Sequence, residues 1–462
     1  MPTVPEKRAA GEPIGLRDWG LVTTLCVAQV LEVLGVTVVI VALPTIGADL
    51  DLQDARLQLV VSLYAVLYGG ALLTAGRVAD LLQRRLVFAA GLAVTLAGAV
   101  VCATAASSTV LLLGRATQGL GGAIVTPAAL SLLTSSFPTG RARRMAVSAW
   151  TAAAAGGGAL GFTVGGLLVA EVGWRAVFWL LAALAALVLG VAWWVVPGRP
   201  PSTSRTGLDL PGSLTATAGL VLLVWGAGSV EDPARPPVAA ALVILCGCLL
   251  LVAFVVVERR GRDPLIAWSE LTNPAFMTAN GAAFVNTATT SASGTVVALV
   301  AANVLQLDAR QTGFVLLPFS LAVIAGSATG SWWLRRPAAV GMATGLAVVA
   351  VAMLGLAAAT VVESVAGLAV SVAVAGLGLS WAAVTSTSAA TSALPEARQG
   401  VAAGAVNTAA QVGTALGVAV LLALAAAVGV DGRSTGYVAA FIAAAALAGT
   451  YAVLLLVRRT HT

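Results

Sequence analysis

Glu32 is the only acidic residue deep inside any of the long apolar runs of this 462-residue chain, and Arg115 is the only basic one. A charge near the middle of a membrane costs about 2.5 kcal/mol or more, so each should face a cavity or a partner. Gln118 follows Arg115 by three residues and shares its helix face. By helix rise, Glu32 lies about 16 Å from the outer end of its span and Arg115 about 10–13 Å from the outer end of its own. At that comparable depth the two can meet. A carboxyl in apolar surroundings resists charge, while a nearby guanidinium favours it. That tension lets the carboxyl collect a proton on one side and release it on the other. Recognition of a cationic cargo by Glu32, or a static Glu32–Arg115 ion pair, are the other readings of the same residues.

Other chemistries lack their residues. The one lysine, Lys7, lies in the N-terminal tail, so no phosphate loop of the type G-x-x-x-x-G-K-S/T exists. The one histidine, His461, is next to last, which removes imidazole metal sites and histidine proton relays. Cys26, Cys102, Cys246 and Cys248 all fall in apolar runs. Cys246 and Cys248 point to different faces of a helix, so all four are expected to be structural thiols. No metal and no cofactor is expected.

The elements that must position these residues are long apolar helices. Hydrophobic residues make up 59% of the chain and charged residues only 10%, where soluble domains have about 45–50% and 25%. Mean hydropathy is +0.98. Runs of about 20 apolar residues recur along the whole length, each able to cross a hydrocarbon layer about 30 Å thick. Fourteen spans are expected, at 19–43, 57–77, 86–106, 109–136, 143–170, 174–196, 209–229, 236–257, 275–303, 310–334, 338–361, 364–391, 399–428 and 436–457. Basic residues crowd the segments on one side, among them Lys7, Arg17, Arg84, Arg85, Arg141, Arg205, Arg259, Arg335, Arg398 and Arg458. The opposite loops hold only Arg56, Arg175, Arg235, Arg310 and Arg433. The positive-inside rule then puts both termini in the cytoplasm. It also accounts for the net charge of +6 without nucleic acid. The tail carries no hydrophobic run of a signal peptide.

The chain repeats itself. Gly76, Gly91 and Leu92-Ala93-Val94 recur as Gly330, Gly345 and Leu346-Ala347-Val348. Gly119-Leu120-Gly121, Pro138 and Arg141 recur as Gly376-Leu377-Gly378, Pro395 and Arg398. Ala159-Leu160-Gly161 recurs as Ala415-Leu416-Gly417. The expected organisation is a tail (1–18), a six-helix bundle (19–196), a Pro/Ser/Thr/Arg linker (197–208) and two inserted helices (209–257). A polar linker (258–274), a second six-helix bundle (275–457) and a short tail (458–462) follow. Parallel halves around a central cavity are the architecture of transporters that rock between two states.

Several motifs then carry a resemblance. Gly76, Ala79, Asp80, Arg84 and Arg85 match the pattern G-x-L-A-D-R-x-G-R-R/K, with Leu81 in place of Arg and Gln83 in place of the second Gly. An acid beside arginines in a tight loop can bond neighbouring helix ends and let go when the halves move. Arg115, Gln118 and Gly119 match R-x-x-Q-G. Thr37 to Pro44 matches the end of L-D-x-T-I/V-V/A-N-V/I-A-L-P, except that Ile40 replaces Asn and the signature Asp falls on Gly35. Glu32 lies one turn earlier on the same face. Gly157, Gly161, Gly165 and Gly166 match G-x-x-x-G-P-x-x-G-G, with Phe162 in place of Pro; such glycines let helix backbones approach closely. Trp174-Arg175 and Phe178 match W-R-x-x-F. These residues resemble the signatures of the major facilitator superfamily, and within it of the fourteen-helix drug:proton antiporter family. Leu316-Leu317-Pro318 and the stretch from Asn407 to Ala419 extend the resemblance through the second half.

The resemblance implies an all-α integral membrane protein with the major facilitator fold, fourteen transmembrane helices as two six-helix bundles plus two inserted helices. It implies alternating access driven by the proton gradient, with Glu32, Arg115 and Gln118 in proton coupling and Gly76, Asp80, Arg84 and Arg85 in gating. The expected activity is efflux of small amphipathic organic molecules such as antibiotics, not an enzymatic reaction, by a monomer in a bacterial plasma membrane. Span and depth single out Tyr64, Tyr68, Trp150, Phe284 and Trp381 as apolar substrate contacts, with Asn286, Thr289 and Gln411 as polar ones. A broad apolar pocket with few polar groups suits promiscuous binding. An exporter dedicated to one metabolite, peptide or lipid, or a membrane receptor that transports nothing, are the competing readings.

Overall fold

A computed structural model describes residues 16–52, 54–137, 141–196, 210–227, 237–260, 268–395, 399–429 and 433–459. Among them the chain is helical with short connections and no strand. The first set of helices is α1 (Leu16–Asp49), α2 (Asp54–Leu81), α3 (Arg84–Ala103), α4 (Ser108–Ser136), α5 (Arg141–Glu171) and α6 (Trp174–Val195). An inserted pair follows, α7 (Leu210–Ala227) and α8 (Pro237–Arg260), then a single turn, α9 (Trp268–Leu271). The last set is α10 (Pro274–Asn303), α11 (Ala309–Trp333), α12 (Ala338–Val361), α13 (Val365–Ser392), α14 (Gln399–Val428) and α15 (Arg433–Arg459). Eleven of these are long and apolar enough to cross a membrane; α2, α5 and α7 carry shorter apolar stretches, Leu57–Leu72, Gly156–Glu171 and Leu214–Gly226.

Backbone groups left open at helix ends need partners, most of all where little water reaches. Ser107 and Ser364 accept hydrogen bonds from Val110 N and Gly367 N at the starts of α4 and α13. Asn273 caps α10 ahead of Pro274, and Asp308 with Gln311 forms a capping box on α11. The internal prolines Pro44, Pro127 and Pro318 lie inside α1, α4 and α11.

The packing repeats as the sequence does. In the first set α3 lies on α4, α2 on α4, α1 on α5 and α3 on α6. In the second set α12 lies on α13, α11 on α13, α10 on α14 and α12 on α15. The repeated glycines occupy matching seams. A methyl on Gly91 would come 3.0 Å from Val125 N, and one on Gly345 would come 2.5 Å from Ala382 N. Gly121 packs on Thr95 of α3, and Gly378 on Val349 of α12. Each glycine thus lets two helix backbones close to a distance that any side chain would prevent.

The two sets meet along α2–α14 and α5–α11, antiparallel in both cases. Ser62 Oγ donates to Ala415 O at 3.1 Å, and a methyl on Gly69 would come 2.6 Å from Gln411 Cβ. Phe162 packs edge-on against Phe319 at 6.4 Å, and a methyl on Gly166 would come 2.7 Å from Ala309 O. One apolar core runs through the first set and continues into the second through Val296–Val300, Val315, Leu356, Leu368, Val418 and Phe441. All of these lie on the side away from the start of α1 and the end of α15. On the near side the second set keeps a separate core around Phe276, Met342, Leu394, Val406 and Leu455. Among the described residues the far side is therefore closed by a core that both sets share, while the near-side core of the second set is its own.

Of the inserted pair, α7 lies against both α2 and α14, with Leu220 and Val224 beside Val66 and Ala415. α8 touches α7 and presents Leu242, Leu245, Leu249 and Val252 outward, each more than half exposed. A helix apolar on its outer face is at home against lipid chains.

A leucine at 166 cannot be housed while α5 and α11 touch. Spin labels at the far ends of those two helices should read a longer separation in Gly166→Leu than in the unsubstituted protein, with the far side parted.

Candidate functional site

Arg115 is wholly buried and is held by two backbone carbonyls, one side-chain amide and an aromatic ring. Its Nε donates to Val60 O at 2.8 Å, and its Nη1 donates to Gly35 O and to Gln118 Oε1, both at 2.9 Å. Nη2 has no hydrogen-bond acceptor among the described residues. The guanidinium instead lies 4.4 Å from the centre of the Tyr64 ring, whose negative face attracts a cation. One side chain of α4 thereby ties together α1, α2 and α4. The spacing of Gln118 from Arg115 works as expected: one helical turn aims the amide oxygen at the guanidinium, with Cys102 Sγ behind it at 3.7 Å.

Glu32 is also buried, but no ion pair joins it to Arg115 among the described residues. Tyr64 stands between them. Its hydroxyl donates to Glu32 Oε2 at 3.1 Å and lies 3.3 Å from Glu32 O, while its ring carries the guanidinium. Thr95 Oγ1 donates to Glu32 Oε1 at 3.5 Å. Space for the carboxyl comes from α4: a methyl on Gly122 would overlap Glu32 Oε2, and one on Gly119 would come 2.5 Å from Tyr64 O. At Gly35, where the resembling signature has an acid, the backbone carbonyl itself takes the guanidinium. The carboxyl sits one turn earlier and reaches Arg115 through Tyr64.

Tyr68 extends the group, stacked on Tyr64 at 5.9 Å with its hydroxyl 2.7 Å from Thr126 Oγ1 and close to Asn407 of α14. The residues singled out as substrate contacts thus divide. Tyr64 and Tyr68 belong to the Glu32 site, and Gln411 packs on Gly69 at the α2–α14 seam. Asn286 donates to Leu379 O at 3.0 Å, and Thr289 donates to Val285 O at 2.8 Å, both inside the second set. Phe284 is half-buried where α10 meets α14. Trp381 donates to Thr329 Oγ1 at 3.0 Å beside Trp333, on the near side. Trp150 is half-buried, with its indole N–H shielded and without an acceptor.

Of the residues expected in gating, Gly76, Arg84 and Arg85 lie apart from this group. Gly76 faces Pro127 at 3.7 Å. Arg85 stacks on Trp193 and donates to its carbonyl, fixing α3 to α6, while Arg84 opens α3. The side chain of Asp80 lies outside the described residues. The glycine seam of α5 divides its work: Gly157, Gly161 and Gly165 face Val30, Thr37 and Val38 of α1, whereas Gly166 faces α11. On the far side, Arg175 pairs with Asp49 at 2.8 Å and donates to Ala105 O, and Trp174 Nε1 donates to the same carboxylate.

Sequence reasoning missed Thr95, Thr126 and the space left by Gly119 and Gly122. Thr95 had a signal, since it is the one hydroxyl within the apolar body of α3. The glycines had one too, because Gly119-Leu-Gly121-Gly122 strips one face of α4 just past Arg115. Nothing in the spacing distinguished Tyr64 as a bridge from Tyr64 as a pocket wall.

The sequence pattern of the Major Facilitator Superfamily matches residues 25–418 and, separately, 279–462. The chain is 35% identical over 410 residues to a cephamycin export protein of Amycolatopsis lactamdurans, covering 86% of this chain and 83% of that one. It is 34% identical over 319 residues to a lincomycin resistance protein of Streptomyces lincolnensis, covering 69% and 66%. A puromycin resistance protein of Streptomyces alboniger is 38% identical over 264 residues, 57% of this chain and 52% of that protein. Among solved structures, a peptide transporter in complex with sulfate superposes with a TM-score of 0.75 at 17% identity, covering 99% of this chain and 96% of the other. That likeness is one of fold.

Overpacking a filled site costs about 1–3 kcal/mol, so Gly122→Ala should lower the thermal unfolding midpoint in detergent. Gly190 on α6 has open space where a methyl would go, and Gly190→Ala should stay within about 0.5 kcal/mol of the unsubstituted protein.

Proposed function

The chain belongs to the Major Facilitator Superfamily, and we propose that it is a proton-driven exporter of small amphipathic organic molecules. Its relatives named for cephamycin export and for lincomycin and puromycin resistance support efflux of antibiotic-like compounds as the activity. The observation that carries the coupling is the buried Glu32 carboxyl, bonded by Tyr64 and Thr95 and one ring away from Arg115. No metal, cofactor or nucleotide is needed by this arrangement, and the cycle is one of binding and release, not of bond-making.

On this reading both chain ends lie in the cytoplasm of a bacterium, and the far side, with its shared core, faces outward. Cargo would enter between the two sets from the near side, past Trp150, Trp381 and Gln411, and reach Glu32 near the closed seams. Parting of α5 from α11 and of α2 from α14 would expose the same space to the outside, where cargo leaves and Glu32 takes a proton. Return to the near-side form lets the proton go inward. Arg115 keeps its backbone acceptors on α1 and α2 throughout, so that the three helices move as one body. A single chain holds all these parts, and a monomer suffices.

An exporter dedicated to one compound is the second reading, favoured by the relatives' names, several of which specify a single antibiotic. Tolerance to several unrelated dyes and antibiotics on expression supports broad efflux; tolerance to one supports a dedicated exporter.

Glu32→Gln should abolish extrusion against a concentration gradient and the pH dependence of transport in proteoliposomes; unchanged uphill transport would sink the coupling role. Arg115→Lys keeps the charge but loses the planar fork that reaches three acceptors. It should lower transport about tenfold or more, as expected for losing a charge-assisted hydrogen bond of about 1.5–3 kcal/mol.

A further inference from the structure

The internal repeat supplies a comparison within the molecule. Gly157 of α5 faces Val30 of α1, and Gly413 of α14 faces Phe284 of α10. That register places Asn286 where Glu32 stands. Gly119 of α4 faces the carbonyl of Tyr64, and Gly376 of α13 faces the carbonyl of Phe319. The second register places Phe319 where Tyr64 stands, Val372 where Arg115 stands and Leu379 where Gly122 stands. The side-chain contacts agree, since Asn286 bonds Leu379 O just as Glu32 lies against Gly122.

The same helix crossing is therefore built twice. Where the acid and the guanidinium are absent, an aromatic ring without a hydroxyl fills the position. Packing of the crossing needs the ring alone. The hydroxyl is present only in the half that carries the charges, and there it bonds the acid.

From this geometry we propose that Tyr64 is the positioning residue of the proton site, its hydroxyl holding the Glu32 carboxylate while its ring holds Arg115. The hydroxyl has two acceptors on one residue, Glu32 Oε2 at 3.1 Å and Glu32 O at 3.3 Å. With Glu32 ionised it donates to the carboxylate. When a proton binds the carboxyl, the hydroxyl turns to the backbone oxygen, so neither state leaves a buried O–H without a partner. Its pivot links the charge on α1 to the aromatic face under Arg115 without a direct ion pair, which would hold the acid ionised and oppose proton uptake. The other titratable groups facing this site among the described residues are Tyr68 on α2 and Cys102 on α3. Tyr68 is engaged by Thr126, and Cys102 lies behind Gln118.

This inference rests on Glu32 being the proton carrier, and the test separates the two. Infrared difference spectra of the purified full chain in lipid, with pH as the only variable, should show a carboxyl band that Glu32→Gln removes. If Glu32→Gln leaves every carboxyl band in place, the coupling role of Glu32 fails and the inference with it. Given that band, Tyr64→Phe should displace its stretching frequency and move its titration midpoint by about one pH unit or more, equivalent to about 1.4 kcal/mol per unit. Tyr68→Phe should leave both unchanged. A Tyr64→Phe spectrum identical to that of the unsubstituted protein overturns the inference while leaving Glu32 as carrier. Phe319 shows that the crossing accepts phenylalanine; should Tyr64→Phe nonetheless fail to fold, uniform 3-fluorotyrosine, a stronger donor, must displace the same band in the otherwise natural chain. No displacement there overturns it equally.

Discussion

A guanidinium with no water around it must find its acceptors in the protein, and the rest of this structure follows from how Arg115 does so. Carbonyl oxygens at Gly35 and Val60 take its N–H groups, so α1, α2 and α4 are fastened at a common depth. Backbone acceptors cannot be titrated and do not depart when a proton comes or goes. The arginine is therefore fastened by acceptors whose charge does not change. The carboxyl that responds to it is kept at one remove, behind the ring of Tyr64. A direct pair would be the stronger attraction, yet a buried pair that is too favourable cannot let go of its charge.

The second constraint is close approach. Repeated glycines bring α3 to α4 and α12 to α13 backbone to backbone, and the same device closes α5 on α11 at Gly166. Contacts of this kind are lost all at once when helices separate, since a packed seam is bistable and does not stretch. The shared core on the far side and the separate core of the second set on the near side belong to the form in which those seams are packed. The inserted α7 leans on one helix from each set, α2 and α14.

Much of this was legible in the chain. Apolar runs, capping residues and short polar connections set helix positions to within a few residues: the span expected at 338–361 coincides with α12, and that at 399–428 with α14. The longer reach of α1, to Asp49, was hidden by Pro44, which follows the expected end of the span and reads as a helix stop. The site was legible in its charges and not in its connections. Glu32, Arg115 and Gln118 stood out because an ionisable group in an apolar run has few reasons to be there. Asn286, Thr289 and Trp381, which share similar depth, find their partners within the second set. Depth along a helix does not specify which way a side chain turns.

The sequence by itself determined the order of the apolar helices, the twofold repeat and the two charges that need partners. Each of these follows from local composition, since a chain in a membrane must satisfy its backbone within each segment. Only the tertiary structure decided that Tyr64 stands between those charges and that a phenylalanine fills the same crossing in the other half. Both are matters of which faces meet, and a hydroxyl 32 residues from its acceptor carries no mark of that meeting until the helices are packed.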